Sequence, residues 1–225
     1  MSPFWRGTYA IARKDMMAEL RSKEVFNPML FFGLMVIVLF SFSFEPNAEE
    51  TKRIGGGLLW MAFLFAGMLA MNQSFPRETA DRTLHGLRLA PVPPAAIFAG
   101  KFLANVVFML LAEMILSPLF SIFFNFPLAP VAGWFFLLLI LGTWGLVVTG
   151  TFFSALTLHT RMRELMLPLL LLPIAVPQMI ALVEGTAELL STQRPASLWF
   201  KLLVGYDVVF TTLALSLFSY VIEDT

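Results

Sequence analysis

The stretch VAGWFFLLLILGTWGLVVTGTFFSALTL, which runs from Val131 to Leu158, decides the class of this protein. It contains no aspartate, glutamate, lysine or arginine. An α-helix rises about 1.5 Å per residue and the hydrocarbon core of a bilayer is about 30 Å thick, so about 20 apolar residues can cross it. The stretch therefore predicts a membrane-spanning helix.

Apolar stretches of this kind fill most of the chain and predict six crossings in all. Because the runs are continuous and do not alternate with polar residues, they favour helices over the strands of a β-barrel. We expect an all-α, polytopic protein that forms a single membrane domain over residues 1–225. The other predicted crossings are Asn27–Phe44, Gly55–Asn72, Ile97–Phe124, Leu165–Val183 and Leu198–Ile222.

The composition excludes several classes of function. Hydrophobic residues make up 58% of the chain and charged residues 13%, against about 25% charged residues in an ordinary soluble domain. The 15 basic and 15 acidic residues leave no net charge that would attract nucleic acid. Without cysteine, the chain has no disulfide and no thiolate metal site. No Ser–His–Asp set or phosphate-binding Gly-Lys-Ser/Thr motif is present, so we expect no catalytic residue, and any ATP hydrolysis must occur in a partner chain.

The basic residues are unevenly distributed between the two sides of the predicted bundle. Six crossings return the C-terminus to the side of the N-terminus, and that side carries 11 of the 15 basic residues. An excess of lysine and arginine marks the cytoplasmic side of a membrane protein. We therefore predict that both termini are cytoplasmic. The opposite side holds Lys52, Arg53, Arg194 and Lys201.

Residues 1–26 precede the first crossing and predict an interfacial helix, with Phe4–Glu24 as its helical part. Apolar and basic residues separate to different sides of a helical wheel. Such a helix lies at the headgroup boundary, where its cations meet anionic lipid. Roles as a simple anchor and in docking a partner are both open. The apolar side holds Trp5, Tyr9, Ala12, Met16 and Leu20, and the basic side Arg6, Arg13, Lys14 and Arg21.

Small residues and prolines distinguish three of the crossings. The glycines and alanines of the second and fourth crossings favour close helix packing within the chain, with a homodimer seam as the alternative. After the fifth crossing we expect residues Glu184–Ser197 to form an outer loop, with a short interfacial helix there as the alternative. Within that crossing, bends are predicted at Pro168, Pro173 and Pro177.

The segment Ser74–Pro91, between the second and third crossings, combines charged residues with leucines. Pro76 and Pro91 bracket a stretch of helical character, in which Glu78 and Arg82 are four residues apart and can pair. A short amphipathic helix without a core of its own favours docking to a partner, and a solvated loop is the alternative. The candidate docking residues are Arg77, Glu78, Asp81, Arg82, Leu84, Leu87 and Arg88.

Two acidic residues fall within predicted crossings, where ionisable groups are costly and face a protein interior or cavity. Glu113 has no basic residue at helical spacing, so we expect it to pair with another helix or to be protonated; a structural role and a role in transport are both open. Asp207 lies six residues after Lys201, and we expect it near the outer membrane surface. Near the cytoplasmic face, Asn72, Gln73 and Asn105 can cap or bridge helices.

Several blocks, taken in order along the chain, resemble the CcmB family, the membrane subunit of the haem exporter ABC complex of cytochrome c maturation. Arg82 and His85 depart from the family pattern. No single block is diagnostic, but together they cover essentially the whole chain. The blocks are Leu59–Phe75, Leu84–Pro91, Ile97–Lys101 with Asn105, Gly150–Leu156, Thr160–Glu164, Leu167–Pro173, Tyr206–Phe210 and Glu223–Asp224.

The resemblance implies an export-type ABC permease in the bacterial inner membrane, present as a homodimer with two CcmA-like ATP-binding subunits. It also implies CcmC-like and CcmE-like haem-handling partners, with Ser74–Pro91 as the element received by the ATPase. Haem would be the cargo of the complex. His85 and His159 both fall on the predicted cytoplasmic side, so we expect no cofactor bound by this chain itself.

Two other functions are open on the sequence. The chain could be the permease of a different export-type ABC transporter, for lipid, polysaccharide or drug. It could also be a membrane scaffold or enzyme without a transport role, in which case substitutions between Arg77 and Leu89 would be harmless.

Overall fold

The computed structural model describes residues 2–43, 49–75, 92–158, 160, 162–195 and 197–223. Within these residues the protein is all-α, as predicted, and contains no strand. Besides a short 3₁₀ turn at Ala129–Val131, the helices are α1 (Pro3–Ser22), α2 (Phe26–Ser43), α3 (Glu49–Asn72), α4 (Pro94–Phe123), α5 (Ala132–Leu156), α6 (Arg163–Thr192) and α7 (Ser197–Glu223).

Helices α2 to α7 are each long and apolar enough to cross a membrane, which confirms the six predicted crossings. Most of their ends lie within a few residues of the predicted ones. The helix α1 confirms the predicted helix before the first crossing.

The fifth crossing differs from its prediction at the end that was expected to be an outer loop. Instead of ending at Val183, α6 continues to Thr192, and Gln193 then closes it in a left-handed conformation with φ 56°. Packing on α3 explains the extension, because the indole nitrogen of Trp60 donates to the hydroxyl of Thr186 at 2.9 Å. The helix is continuous through its three prolines.

Helix α5 is the centre of the bundle, since it packs against α3, α4, α6 and α7. Its glycines allow this close approach. A Cβ on Gly142 would lie 2.8 Å from Trp60 and Leu182, and one on Gly150 would lie 1.9 Å from the sulfur of Met71. The predicted use of these small residues, packing within the chain, is confirmed.

Helix α1 docks on the beginning of α4 through a face that the helical wheel did not single out. Gly7, Thr8 and Ile11 are buried there, whereas most of the predicted apolar side, including Trp5 and Tyr9, is exposed together with the basic side. The helix therefore has a docked face and an exposed amphipathic face, which suits a helix lying at the membrane interface.

We predict that Gly100→Ala loosens α1 from α4. The new Cβ would lie 2.7 Å from the Cβ of Ile11 and 2.9 Å from the Thr8 carbonyl oxygen, and neither atom can move without shifting backbone. Such overpacking costs about 1–3 kcal/mol. The apparent melting temperature of the detergent-solubilised protein should fall, and trypsin should cut faster at Arg13. Gly133→Ala is the matched control, because nothing lies within 4 Å of its Cβ; equal effects of both substitutions would contradict the prediction.

Candidate functional site

The predicted docking residues between Arg77 and Arg88 lie outside the residues that the structure describes, as do His85 and His159. Their role stays a prediction. The structure does describe both flanks of the segment 76–91, which are Ser74 and Phe75 on one side and Val92 and Pro93 on the other.

A buried lysine holds the first flank. The ammonium group of Lys101, on α4, donates to the Ser74 carbonyl oxygen at 2.8 Å and pairs with the Asp15 carboxylate of α1 at 3.2 Å. It also lies 5.0 Å from the centre of the Phe75 ring. Lys101 is only 1% exposed. A buried charge of this kind is stable only with such partners, so Lys101 ties α1, α4 and the end of α3 together.

One turn further along α4, Asn105 strengthens the same junction. Its amide nitrogen donates to the Ser74 hydroxyl at 2.9 Å and to the Thr151 hydroxyl of α5 at 3.1 Å. The hydroxyl of Ser154, also on α5, donates to the Met71 carbonyl at 2.7 Å. The predicted bridging role of Asn105 is confirmed, and the end of α3 is fixed to both α4 and α5.

The second flank rests on α1. A Cβ on Gly7 would lie 2.4 Å from a methyl group of Val92, and the Thr8 hydroxyl lies 3.5 Å from the Ala96 carbonyl oxygen. Both flanks of segment 76–91 therefore leave from one packed unit of α1, α3 and α4. Beside it is a cavity of about 420 Å³ whose lining includes Asp15 and Lys101.

A second polar site lies inside the membrane-spanning part. Glu113 of α4 is fully buried, and its Oε2 accepts a hydrogen bond of 2.6 Å from the Thr143 hydroxyl of α5. The prediction that Glu113 pairs with another helix is confirmed. Its Oε1 has no hydrogen-bond partner.

On another side of α5, Gln178 and Asp207 meet over a glycine. A Cβ on Gly145 would lie 2.4 Å from the amide nitrogen of Gln178 and 2.6 Å from Oδ1 of Asp207. Gln178 donates to the Gly142 carbonyl at 2.7 Å. The expected position of Asp207 near the outer membrane surface stays a prediction. In the structure Asp207 is 7% exposed and packs against α5, while Lys201 is exposed.

One turn of α5, residues 142–145, thus contacts polar side chains from α4, α6 and α7. We call Glu113, Thr143, Gln178 and Asp207 the intramembrane polar cluster. Gln178 was missed by the sequence analysis, although a lone glutamine amid leucines and prolines is a signal that could have found it. Within the described part of the chain, four of the cluster's oxygen atoms are buried without a hydrogen-bond partner: Glu113 Oε1, Gln178 Oε1, Asp207 Oδ1 and Asp207 Oδ2.

The chemistry of these sites suits hydrogen bonding and proton binding. Among the residues that the structure describes, no three histidine, aspartate or glutamate side chains gather as metal ligands would. The acceptor-rich cluster is instead typical of intramembrane polar groups that mark a functional pathway or fix the packing of helices.

We predict measurable coupling between Glu113 and Thr143. A double-mutant cycle with Glu113→Met and Thr143→Val should give an interaction free energy of about 0.6–1.7 kcal/mol, the range for hydrogen bonds between membrane helices. Unfolding of the purified protein in mixed micelles measures it. The control cycle combines Glu113→Met with Thr211→Val. The Thr211 hydroxyl accepts a hydrogen bond from Trp144, so the effects of these two substitutions should be additive. Additivity in both cycles would rule out the pairing.

Comparison with known proteins places this sequence in a family. The sequence pattern of the family described as "CcmB protein" matches residues 6–222. The chain is 35% identical over 192 residues to heme exporter protein B of Rhodobacter capsulatus, covering 84% of this chain and 88% of that protein. It is 31% identical over 209 residues to heme exporter protein B of Pseudomonas aeruginosa, covering 92% of each. The chain is therefore a member of the CcmB family of membrane proteins.

Proposed function

We propose that the chain is the permease subunit of an ABC transporter in c-type cytochrome biogenesis. It couples ATP hydrolysis by a partner chain to haem export or to release of a haem-loaded chaperone, and we favour the second. The observation that carries this proposal is the family match over residues 6–222. The matched relatives carry the name heme exporter protein B.

The anchoring of segment 76–91 supports the coupling role. Lys101 and Asn105 hold its first flank, and α1 holds its second flank. A force applied to the segment by a partner would therefore reach α1, α3 and α4 together. It would also reach α7, since the Phe75 ring lies 5.9 Å from that of Phe218.

The proposed complex contains a homodimer of this chain and two CcmA-like ATP-binding subunits. It works with CcmC-like and CcmE-like haem-handling proteins in the bacterial inner membrane. The excess of basic residues on the side of α1 supports a cytoplasmic position for both termini and for segment 76–91. Haem is the cargo of the complex in this proposal.

The test is a pull-down of the tagged, full-length chain from mild detergent. We expect an ATP-binding subunit together with haem-handling proteins. An ATPase without haem-handling proteins would point to another export-type permease. Absence of an ATPase, under conditions that preserve other ABC complexes, would contradict the permease role.

Substitutions in the segment test the docking surface. We predict that Leu84→Ser with Leu87→Ser, or Arg77→Glu with Arg82→Glu, removes the ATPase from the pull-down, because docking requires both the apolar and the basic residues. Arg194→Glu, on the opposite side of the protein and exposed, is the control and should leave recovery unchanged. Normal recovery with both segment variants would show that the ATPase docks elsewhere.

Lys14 and Lys101 provide a matched pair for testing the anchor. Both ammonium groups pair with Asp15, at 3.3 and 3.2 Å, but the Lys14 side chain is 46% exposed and that of Lys101 only 2%. We predict that Lys101→Met uncouples the complex, so that ATPase activity persists while haem-dependent output falls at least about tenfold, since removing one partner of a buried pair is costly. Lys14→Met should have little effect, because exposed pairs contribute little.

Asp15→Asn is the milder variant if Lys101→Met does not fold. It keeps the hydrogen bond from Lys101 to Ser74 and removes only the negative charge of Asp15. We expect an intermediate loss of output with unchanged ATPase recovery. Normal output in both folded variants would show that the anchor does not transmit force.

A further inference from the structure

A cavity of about 380 Å³ lies between α5 and α7 at the level of the polar cluster. Its rim includes Val204 and Val208, which are strongly exposed on the outer surface of the bundle. Inside the rim the lining is mostly apolar, and Asp207 is the only ionisable residue in it among those that the structure describes. Trp144 and Thr211 also line the cavity.

Asp207 lies between this cavity and Gly145 of α5. Its Oδ1 fills the space that a Cβ on Gly145 would take, beside the amide of Gln178. Neither carboxyl oxygen has a hydrogen-bond partner among the residues that the structure describes. The Asp207 side chain is therefore buried between helices, and it also lines the cavity between α5 and α7.

Several donors near Asp207 make hydrogen bonds to other acceptors. On α5, Trp144 donates to Thr211 at 3.0 Å, and the Thr149 hydroxyl donates to the carbonyl of Gly145 at 2.7 Å. From α6, Gln178 donates to Gly142. On α7, the Tyr206 hydroxyl donates to the Ile174 carbonyl at 3.2 Å, and Thr212 donates to Val208.

No ion pair to Asp207 is formed within the part of the chain that the structure describes. Lys201 lies on α7 toward the outer end and is exposed. The other buried acid, Glu113, contacts Thr143, which is about 200° around α5 from Gly145. An ionised carboxylate here would be uncompensated, and burying such a charge costs far more than burying the neutral acid.

We propose that Asp207 is a proton-binding site of the membrane domain, at the inner end of the cavity between α5 and α7. A proton is the ligand that removes the uncompensated charge and needs no further partner to do so. The site is independent of the proposed function, because it uses neither segment 76–91 nor the Lys101 anchor.

Dicyclohexylcarbodiimide tests the site, since it enters apolar cavities and reacts with carboxylic acids only when they carry their proton. The acid adds across the reagent, and the adduct is located by mass spectrometry of the full-length protein in detergent. We expect labelling at neutral pH about tenfold greater at Asp207 than at Glu113, which is completely buried and does not line this cavity. Labelling should decline as the pH rises and the proton is lost. Equal labelling at both residues would overturn the proposal.

Variants test whether the labelling depends on Asp207 itself and not on the general reactivity of the protein's carboxyl groups. Asp207→Asn should abolish the label and Asp207→Glu should retain it. Gly145→Ala puts a Cβ 2.6 Å from Oδ1 of Asp207 and should change the rate of labelling, whereas Gly205→Ala, with nothing within 4 Å, should not.

Infrared spectroscopy covers the case in which the reagent does not react. A protonated carboxyl in an apolar site gives a C=O stretching band that should be present in the wild type and in Glu113→Gln. The band should be lost in Asp207→Asn. If neither the label nor an Asp207-dependent band is found, the proposal is wrong.

Discussion

The close approach of neighbouring helices to α5 is the constraint on which the rest of this structure depends. In lipid, the hydrophobic effect does not drive helices together, because the lipid tails are as apolar as the helices. Helix association depends instead on van der Waals packing and on hydrogen bonds between helices. Gly142, Gly145 and Gly150 each receive side chains from a different set of neighbours. Because these glycines bring other helices near the α5 backbone, polar groups can reach it there, as Gln178 reaches the Gly142 carbonyl.

The polar groups around Ser74 and those around Gly145 differ in how completely they are hydrogen-bonded. Around Ser74, the charge of Lys101 is paired with Asp15 and further hydrogen-bonded, and Asn105 joins three elements. Around Gly145, the side-chain oxygen of Gln178 and both carboxyl oxygens of Asp207 have no hydrogen-bond partner in the part of the chain that the structure describes. The first site resembles a rigid joint, while the second has unused hydrogen-bonding capacity, which buried groups in membranes seldom retain without a function.

The sequence predicts the crossings well because length and hydropathy act on each segment separately. It predicts the partner helix of Glu113 only in general terms, since Thr143 is 30 residues away and the match depends on packing. The end of α6, the contact of Asp207 with α5 and the docked face of α1 could not be predicted. Each depends on a contact between helices distant in sequence: Thr186 with Trp60, Asp207 with Gly145, and Ile11 with Gly100.

The carboxylate of Glu19, near the end of α1, accepts hydrogen bonds of 2.8 Å from the backbone nitrogens of Val25 and Phe26, where α2 begins. Helix α2 has 18 residues and is therefore about 27 Å long, close to the thickness of the hydrocarbon core. Glu19 therefore ties the start of this crossing to the end of α1, and the pairing of Asp15 with Lys101 ties α1 in turn to Ser74. The depth of α2 in the bilayer and the depth of Ser74 are in this way set together.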